Sequence, residues 1–181
     1  MRLFIGIGLP ELVAEALAKS APTLVPQSQA VRVRWTPHAN MHITLSFLGQ
    51  VHEARRGVIE QALATIRAPR TQVELNGIGT FERVGVLFAE VKHTPALLAL
   101  AEQVIATMES CGFAREKRPY SPHVTLGRMG ARTRDHLRLR STSPDDPAFH
   151  QSFEATEFRL YQSLTLPGGA QYHVLRSFPL D

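Results

Sequence analysis

One four-residue pattern, His-x-Thr-Leu, occurs twice in this chain of 181 residues. The first copy, HITLSFLG, begins at His42, and the second, HVTLGRMG, begins at His123. Side chains alternate between the two faces of a β-strand, so each copy presents histidine and threonine on one face and two apolar side chains on the other. The apolar face suits a core, and the other face carries more polar chemistry than a solvated strand requires.

The repeat of this strand predicts two lobes related by a pseudo-two-fold axis. Such symmetry would bring the two polar faces together across a groove, with the imidazoles of His42 and His123 beside the hydroxyls of Thr44 and Thr125. We expect residues 1–181 to form a single domain of two closely associated lobes. One motif, 42–44 or 123–125, would lie in each lobe.

Two histidines that face one ligand can divide the work of hydrolysis. A neutral imidazole accepts a proton from water, and a protonated imidazole donates one to the leaving oxygen. Threonine hydroxyls can donate to phosphate oxygens, and an arginine can stabilise developing negative charge. Arg128 is the candidate arginine, although strict alternation places it on the apolar face of its strand. We therefore expect a bend or bulge at Gly127.

A metal site is the main chemical alternative, because histidine is a common metal ligand. The sequence has no His-x-x-x-His pattern on a predicted helix, no cysteine pair and no carboxylate near either motif. We therefore expect neither a metal nor another cofactor. Two aromatic residues beside the motifs, Trp35 and Tyr120, are candidates for stacking on a base. Phe47 is expected to pack in the core, because it lies on the apolar face of its strand.

The remaining pattern predicts an α+β protein with antiparallel sheets. Strands adjacent in sequence are joined by turns too short for parallel crossovers. The predicted helices cover about 10–24, 52–68 and 95–111, the last with Thr94 as N-cap and Gly112 as terminator. The other predicted strands are 2–9, 31–36, 73–81, 84–91, 153–164 and 170–178, with a loop over 131–152.

The composition is that of a globular protein with a sizeable core. Hydrophobic residues make up 44% of the chain, and its single cysteine fits a reducing cytoplasm. No apolar run has the length needed to span a membrane, and we expect a monomer. The net charge is +4, with 17 arginines against 3 lysines. Arginine matches phosphate oxygens with its planar fork, so this composition favours a phosphate-bearing ligand.

Because it contains both motifs, the chain resembles the 2H phosphoesterase superfamily, which is defined by two His-x-Thr/Ser motifs. It is most similar to the bacterial and archaeal RNA 2′,3′-cyclic phosphodiesterases, also called 2′–5′ RNA ligases. The resemblance covers essentially the whole chain. It is carried by the two motifs and by four flanking segments: MRLFIGIGLPE, RWTPHANMHITLSFLGQV, RPYSPHVTLGR and SLTLPGGAQYHVLRSFPL.

This resemblance implies a bilobal fold of two antiparallel sheets around a central cleft, with helices packed outside. It implies metal-independent hydrolysis of 2′,3′-cyclic phosphate ends of RNA, such as tRNA fragments, to a 2′-phosphate, with ligation in reverse. His42 would protonate the 3′-oxygen, His123 would activate water, and Thr44, Thr125 and Arg128 would hold the phosphate. The sequence itself does not assign the acid and the base.

Two other functions stay open from the sequence. The same site could serve a small cyclic nucleotide or a cyclic ADP-ribose phosphate, because only groove size and base contacts would differ. A non-catalytic module that binds RNA ends is the third hypothesis. Simple binding would not demand two imidazoles, so the pair of histidines favours an enzyme.

Overall fold

The computed structural model describes residues 1–25, 32–130, 146–167 and 169–181. The described residues contain three α-helices: α1 Glu11–Ser20, α2 Arg56–Leu63 and α3 Pro95–Ser110. They also contain nine β-strands: β1 Arg2–Gly8, β2 Val33–Trp35, β3 His42–Gln50, β4 Thr71–Phe81, β5 Val86–Val91, β6 His123–Met129, β7 Ser152–Ala155, β8 Glu157–Leu166 and β9 Gly169–Pro179.

All strand pairs in the described residues are antiparallel. The strands form one nine-stranded sheet with two halves, the first and the second sheet, which meet at a single residue pair. The first sheet has the order β3-β1-β8-β9, and the second has the order β6-β5-β4-β7, with β2 also paired to β6. The sheets are joined by the residue pair Ile43–Val124. These are the second residues of the two His-x-Thr-Leu copies, and a two-fold axis between antiparallel strands pairs equivalent residues. The predicted bilobal α+β class is confirmed.

The helices pack on the outside of this framework and close the core. α3 packs against β3 and β4, and α2 packs against α3. The backbone N–H of Leu97 donates to Oγ1 of Thr94, so the predicted N-cap of α3 is confirmed. The buried residues of both sheets and of the helices form one continuous hydrophobic cluster, which includes Ile43, Leu45, Val124 and Leu126. The apolar faces of both motif strands therefore lie in a common core.

Three predicted elements differ from the structure. α1 ends at Ser20, and a 3-10 turn follows over Ala21–Leu24, because Pro22 cannot continue an α-helix. The predicted helix 52–68 has its α-helical part only at α2, after a 3-10 turn over Glu53–Arg55. The predicted strand 153–164 is two strands, β7 and β8, separated at Thr156.

Other parts of the chain are described only in part. Of the predicted loop 131–152, residues 131–145 lie outside the described residues, and a 3-10 turn covers Pro147–Phe149. Strand 31–36 is observed as β2 alone, and residue 31 is not described. Within the described ranges, no helix has the length and apolar character needed to cross a membrane.

Candidate active site

A central cleft lies between the two sheets, with a cavity volume of about 570 Å³. Five of the residues predicted from the repeat line it: His42, Thr44, His123, Thr125 and Arg128. The side chains between them, Ile43 and Val124 among others, are fully buried on the opposite face. Alternation over the first residues of β3 and β6 therefore separates a polar cleft face from a core face, as the sequence predicts.

A β-bulge in β6 places Arg128 in the central cleft. Leu87 of β5 pairs with Gly127 and Phe88 pairs with Thr125, so Leu126 is an extra residue in β6. Alternation shifts by one residue there, and Arg128 becomes exposed on the same side as His123. The bulge expected near Gly127 is confirmed.

Gly127 is also required by the close approach of β2. A Cβ atom at this position would lie 2.6 Å from Cγ1 of Val33 and 3.0 Å from Cε3 of Trp35. β2 pairs with β6 directly over this residue, with Trp35 opposite Gly127 and Arg34 opposite Arg128. A larger residue at position 127 would displace β2, which carries Arg34 at the rim of the cleft.

An equivalent bulge occurs in β3, and it contradicts the prediction that Phe47 packs in the core. Gly6 of β1 pairs with Thr44 and Ile5 pairs with Ser46, so Leu45 is the extra residue. The ring of Phe47 is 42% exposed and lines the central cleft. The repeat contained a signal for this arrangement, because a bulge that brings Arg128 into the cleft also brings its counterpart Phe47 there.

Each motif histidine is held by a carbonyl group two residues earlier. Nδ1 of His42 lies 2.7 Å from the backbone oxygen of Asn40, and Nδ1 of His123 lies 2.8 Å from that of Ser121. A carbonyl oxygen only accepts, so Nδ1 carries the proton and donates it. In the neutral ring, this leaves Nε2 as a proton acceptor on each histidine.

His42 lies among three aromatic rings. Its ring centroid is 4.6 Å from that of Phe4, 5.1 Å from that of Tyr172 and 6.0 Å from that of Tyr161. Burial lowers the pKa of His42 to about 4, against a smaller raising effect of the hydrogen bond to Asn40. The charge that His123 carries when protonated lowers it slightly further. His42 is therefore neutral near pH 7 in the free protein.

His123 has a smaller aromatic enclosure, made by Phe81 at 5.0 Å and Phe88 at 5.2 Å between ring centroids. Burial lowers its pKa, the hydrogen bond to Ser121 raises it, and the positive charge of Arg128 lowers it. The hydrogen bond that orients His123 is exposed, whereas the one that orients His42 is partly buried. The two imidazoles are thus oriented by equivalent hydrogen bonds, but His42 is more enclosed than His123.

The charge in the central cleft is positive. Arg2 and Arg34 line it beside Arg128, and no carboxylate is found among its described lining residues. The guanidinium carbon of Arg2 lies 4.9 Å from the ring centroid of Phe47, in a cation–π contact. Sequence reasoning missed both arginines, because the pairing of β2 with β6 and of β1 with β3 is decided by the fold.

The β8–β9 hairpin forms one wall of the central cleft through Ser163, Thr165 and Tyr172. Asn40 connects this wall to the first histidine: its Nδ2 donates to the backbone oxygen of Ala170 at 2.6 Å, while its own backbone oxygen accepts from His42. Sequence reasoning missed Asn40, since its partner lies far along the chain.

The structure does not bring Trp35 or Tyr120 to the central cleft. Both residues are partly buried and pack against the hydrophobic core. The hydroxyl oxygen of Tyr120 is buried without a hydrogen-bond partner among the described residues, and burial raises its pKa. Neither residue lines the cleft, whereas Phe47, with Phe4 and Tyr172, does.

The side chains of the site could carry out acid and base catalysis on an anion. Two imidazoles, three guanidinium groups and several hydroxyls, among them those of Thr44 and Thr125, line one cavity. No cluster of three histidine, cysteine, aspartate or glutamate residues exists in the ranges the structure describes.

Residues 13–165 match the family model of the 2′-5′ RNA ligase superfamily, and the chain belongs to that superfamily. An RNA 2′,3′-cyclic phosphodiesterase of Archaeoglobus fulgidus is 32% identical to it, in an alignment that covers 98% of this chain and 99% of the relative. The enzyme of the same name in Escherichia coli K12 is 29% identical, with 99% of this chain and 96% of the relative covered.

Solved structures have the same fold along the whole chain. A crystal structure of a phosphoesterase has a TM-score of 0.85 at 27% identity and covers 99% of this chain and 97% of its own. The structure of E. coli LigT complexed with 3′-AMP has a TM-score of 0.84 at 27% identity, with the same coverage of both chains.

Proposed function

We propose that this protein hydrolyses the 2′,3′-cyclic phosphate at the end of an RNA strand and leaves a 2′-phosphate. The observation that carries the proposal is the placement of both imidazoles, held by Nδ1 to carbonyl groups, across one positively charged cleft. The superfamily match and the names of the full-length relatives support the same reaction. The continuous core supports one catalytic domain over residues 1–181, with one motif in each lobe.

In the proposed reaction, His123 is the general base and His42 is the general acid. The oxygen of a water molecule attacks phosphorus while the water gives a proton to Nε2 of His123. The bond between phosphorus and O3′ breaks, and O3′ takes a proton from Nε2 of His42. The products are a 2′-phosphate and a free 3′-hydroxyl group. The more exposed setting of His123 supports its role beside water, and the enclosed setting of His42 supports a role at the leaving group.

The negative charge of the bound phosphate has to stabilise the protonated form of His42. Burial keeps this imidazole neutral in the free protein, with a pKa of about 4. A negative charge within a few ångströms favours the protonated form, so the cyclic phosphate raises the pKa of His42 on binding. The acid is then formed only when its substrate is present.

The other cleft residues hold the phosphate and the base. The hydroxyl groups of Thr44 and Thr125 donate to non-bridging oxygens, and Arg128 stabilises the charge that develops on them. Phe47 offers an exposed ring for stacking of a base. A 5′-hydroxyl group of RNA in the position of water would attack phosphorus in the same way. The new P–O5′ bond would replace the P–O3′ bond and give a 2′–5′ linkage without a nucleotide cofactor.

The experiment is hydrolysis of a short RNA with a 2′,3′-cyclic phosphate, in excess EDTA, by the wild type, His42→Ala and His123→Ala. We expect a 2′-phosphate product from the wild type and a loss of kcat of about 10³-fold in either variant. His93→Ala is the matched control, because His93 is exposed on a loop outside the central cleft. It should keep wild-type activity.

Three results would contradict the proposal. Loss of wild-type activity in EDTA would show that a metal takes part. Tight binding of the cyclic end without turnover would favour the binding module. Hydrolysis of small cyclic nucleotides with no preference for RNA would favour the small-molecule enzyme. A cytoplasmic location and a monomeric state stay predictions, to be measured by cell fractionation and light scattering.

A further inference from the structure

A second cavity, of about 250 Å³, lies beside His42 and is distinct from the central cleft. We call it the Arg159 cavity; it is lined by Gly8, His38, Arg159, Tyr161 and Val174, among others. It shares Asn40, His42 and Tyr172 with the central cleft, so these three residues separate the two spaces. The Arg159 cavity and the central cleft therefore lie on two sides of His42.

The guanidinium group of Arg159 is fixed in place at this cavity. Its Nε donates to Oε1 of Glu157 at 2.5 Å, and the group also donates to the hydroxyl of Tyr161. A Cβ atom on Gly8 would lie 2.8 Å from an Nη atom of Arg159 and 3.0 Å from the oxygen of Tyr161. The absence of a side chain at position 8 therefore lets both groups lie over the end of β1. The side chain of Arg159 as a whole is 36% exposed.

The donors of Arg159 suit a phosphate group. A guanidinium has five N–H groups, and those not directed at Glu157 and Tyr161 are available to a ligand. His38, on the turn that leads into β3, adds a second nitrogen donor at the cavity. Glu11 is the carboxylate that lines the cavity, and it is exposed at the first turn of α1, where it can turn towards water.

The covalent structure of ribose says which part of an RNA strand would reach this cavity. O3′ is attached to C3′, and the next ring carbon, C4′, carries C5′ and the 5′-phosphate. O2′ is attached to C2′, whose other neighbour carries the base. If His42 protonates O3′, then the 5′-phosphate lies on the His42 side of the terminal nucleotide.

From these observations, we propose that the Arg159 cavity binds the phosphodiester group on the 5′ side of the terminal nucleotide. The inference rests on the proposed function and on His42 as the acid. It gives the enzyme a way to distinguish the end of an RNA strand from a free cyclic nucleotide, since the latter has no 5′-phosphate. Arg159 is the residue that makes the distinction.

The test compares kcat/KM for three substrates: a nucleoside 2′,3′-cyclic phosphate, the same compound with a 5′-phosphate, and a dinucleotide with a cyclic end. We expect the wild type to prefer the two substrates that carry a phosphate on the 5′ side of the terminal nucleotide. Their kcat/KM should be higher by about tenfold or more, the effect of one charge-assisted phosphate contact. Arg159→Gln should remove most of this preference, and Arg159→Lys should keep part of it. Glu11→Gln should increase it.

Arg176→Gln is the matched control. Arg176 is an exposed arginine of β9 that pairs with Glu60 and lies over Phe178, away from both cavities. It should keep the wild-type preference. A wild type without preference for a 5′-phosphate, or an Arg159→Gln variant that loses activity equally on all three substrates, would overturn the subsite. A wild type inactive on all three would overturn the proposed function itself.

Discussion

The two motif strands, β3 and β6, have the same backbone arrangement and differ in the side chains that surround it. Both present His-x-Thr to the central cleft, both hold Nδ1 of the histidine with a carbonyl two residues earlier, and both have a bulge after the threonine. After the bulge, β3 supplies Phe47 and β6 supplies Arg128. The symmetric part can serve a symmetric task, the capture of a phosphate by two imidazoles. The asymmetric part places an aromatic ring for a nucleobase on the β3 side and a positive charge for the phosphate on the β6 side.

The largest difference between the two strands is expected at Arg128. Arg128→Gln should lower kcat by about 10²-fold, because a guanidinium that faces developing phosphate charge contributes on this scale. Arg128→Lys should recover part of the loss, since the charge returns without the planar fork. Steady-state kinetics on a cyclic-ended RNA measure both. A change confined to KM would mean that Arg128 binds the ground state and not the transition state.

A second difference should be visible in acid stability. Burial holds the pKa of folded His42 at about 4, below its ordinary value of 6.5, so the unfolded chain binds the proton more readily between these values. Stability is therefore complete above about pH 6.5 and falls as the pH decreases towards 4, by up to about 3 kcal/mol. Urea unfolding across this window should show the slope in the wild type.

His42→Gln should flatten this slope, because the substituted side chain does not titrate. His123→Gln should flatten it in the same direction, since burial also lowers the pKa of His123. An unchanged slope in His42→Gln would refute the assignment of the acid sensitivity to that imidazole.

A third difference concerns the residues two positions before the histidines. Asn40 is tied to the β8–β9 hairpin through its side chain, so Asn40→Ala should loosen the turn that orients His42. We expect kcat to fall about tenfold and its dependence on pH to shift, with KM changed less. Ser121→Ala keeps the carbonyl that holds His123 and should have a smaller effect. A fall in thermal stability with an unshifted pH profile would mean that Asn40 acts on the fold alone.

The smallest expected effect is at Phe47. Phe47→Leu keeps an apolar side chain and removes the aromatic face, so KM for RNA should rise by roughly threefold to tenfold with kcat retained. Trp35→Leu is the contrasting variant, because Trp35 of β2 packs against Gly127 of β6 and does not line the cleft. It should lower the melting temperature more than it raises KM. If Trp35→Leu raised KM for RNA and Phe47→Leu did not, Trp35 and not Phe47 would be the residue that stacks on the base.

The local pattern predicted much of this protein. The separation of His42 and Thr44 from Ile43 and Leu45 follows from strand alternation, which depends only on backbone geometry. The cap at Thr94 was predictable for the same reason, since its hydrogen bond spans three residues. The failure at Phe47 came from strict alternation applied across a bulge, although the repeat and the need for Arg128 already pointed to one.

The sequence by itself predicted the side chains of the site: an imidazole and a hydroxyl on each of two equivalent strands, and an arginine on the second. Only the tertiary structure decided which further residues join them. Arg2, Arg34 and Asn40 reach the cleft through pairings with distant segments. The Arg159 cavity forms because Arg159 of β8 pairs with Gly6 of β1, two residues before Gly8. The physical reason is that alternation and caps act within a few residues. Strand order and side-chain enclosure depend on the packing of the whole chain.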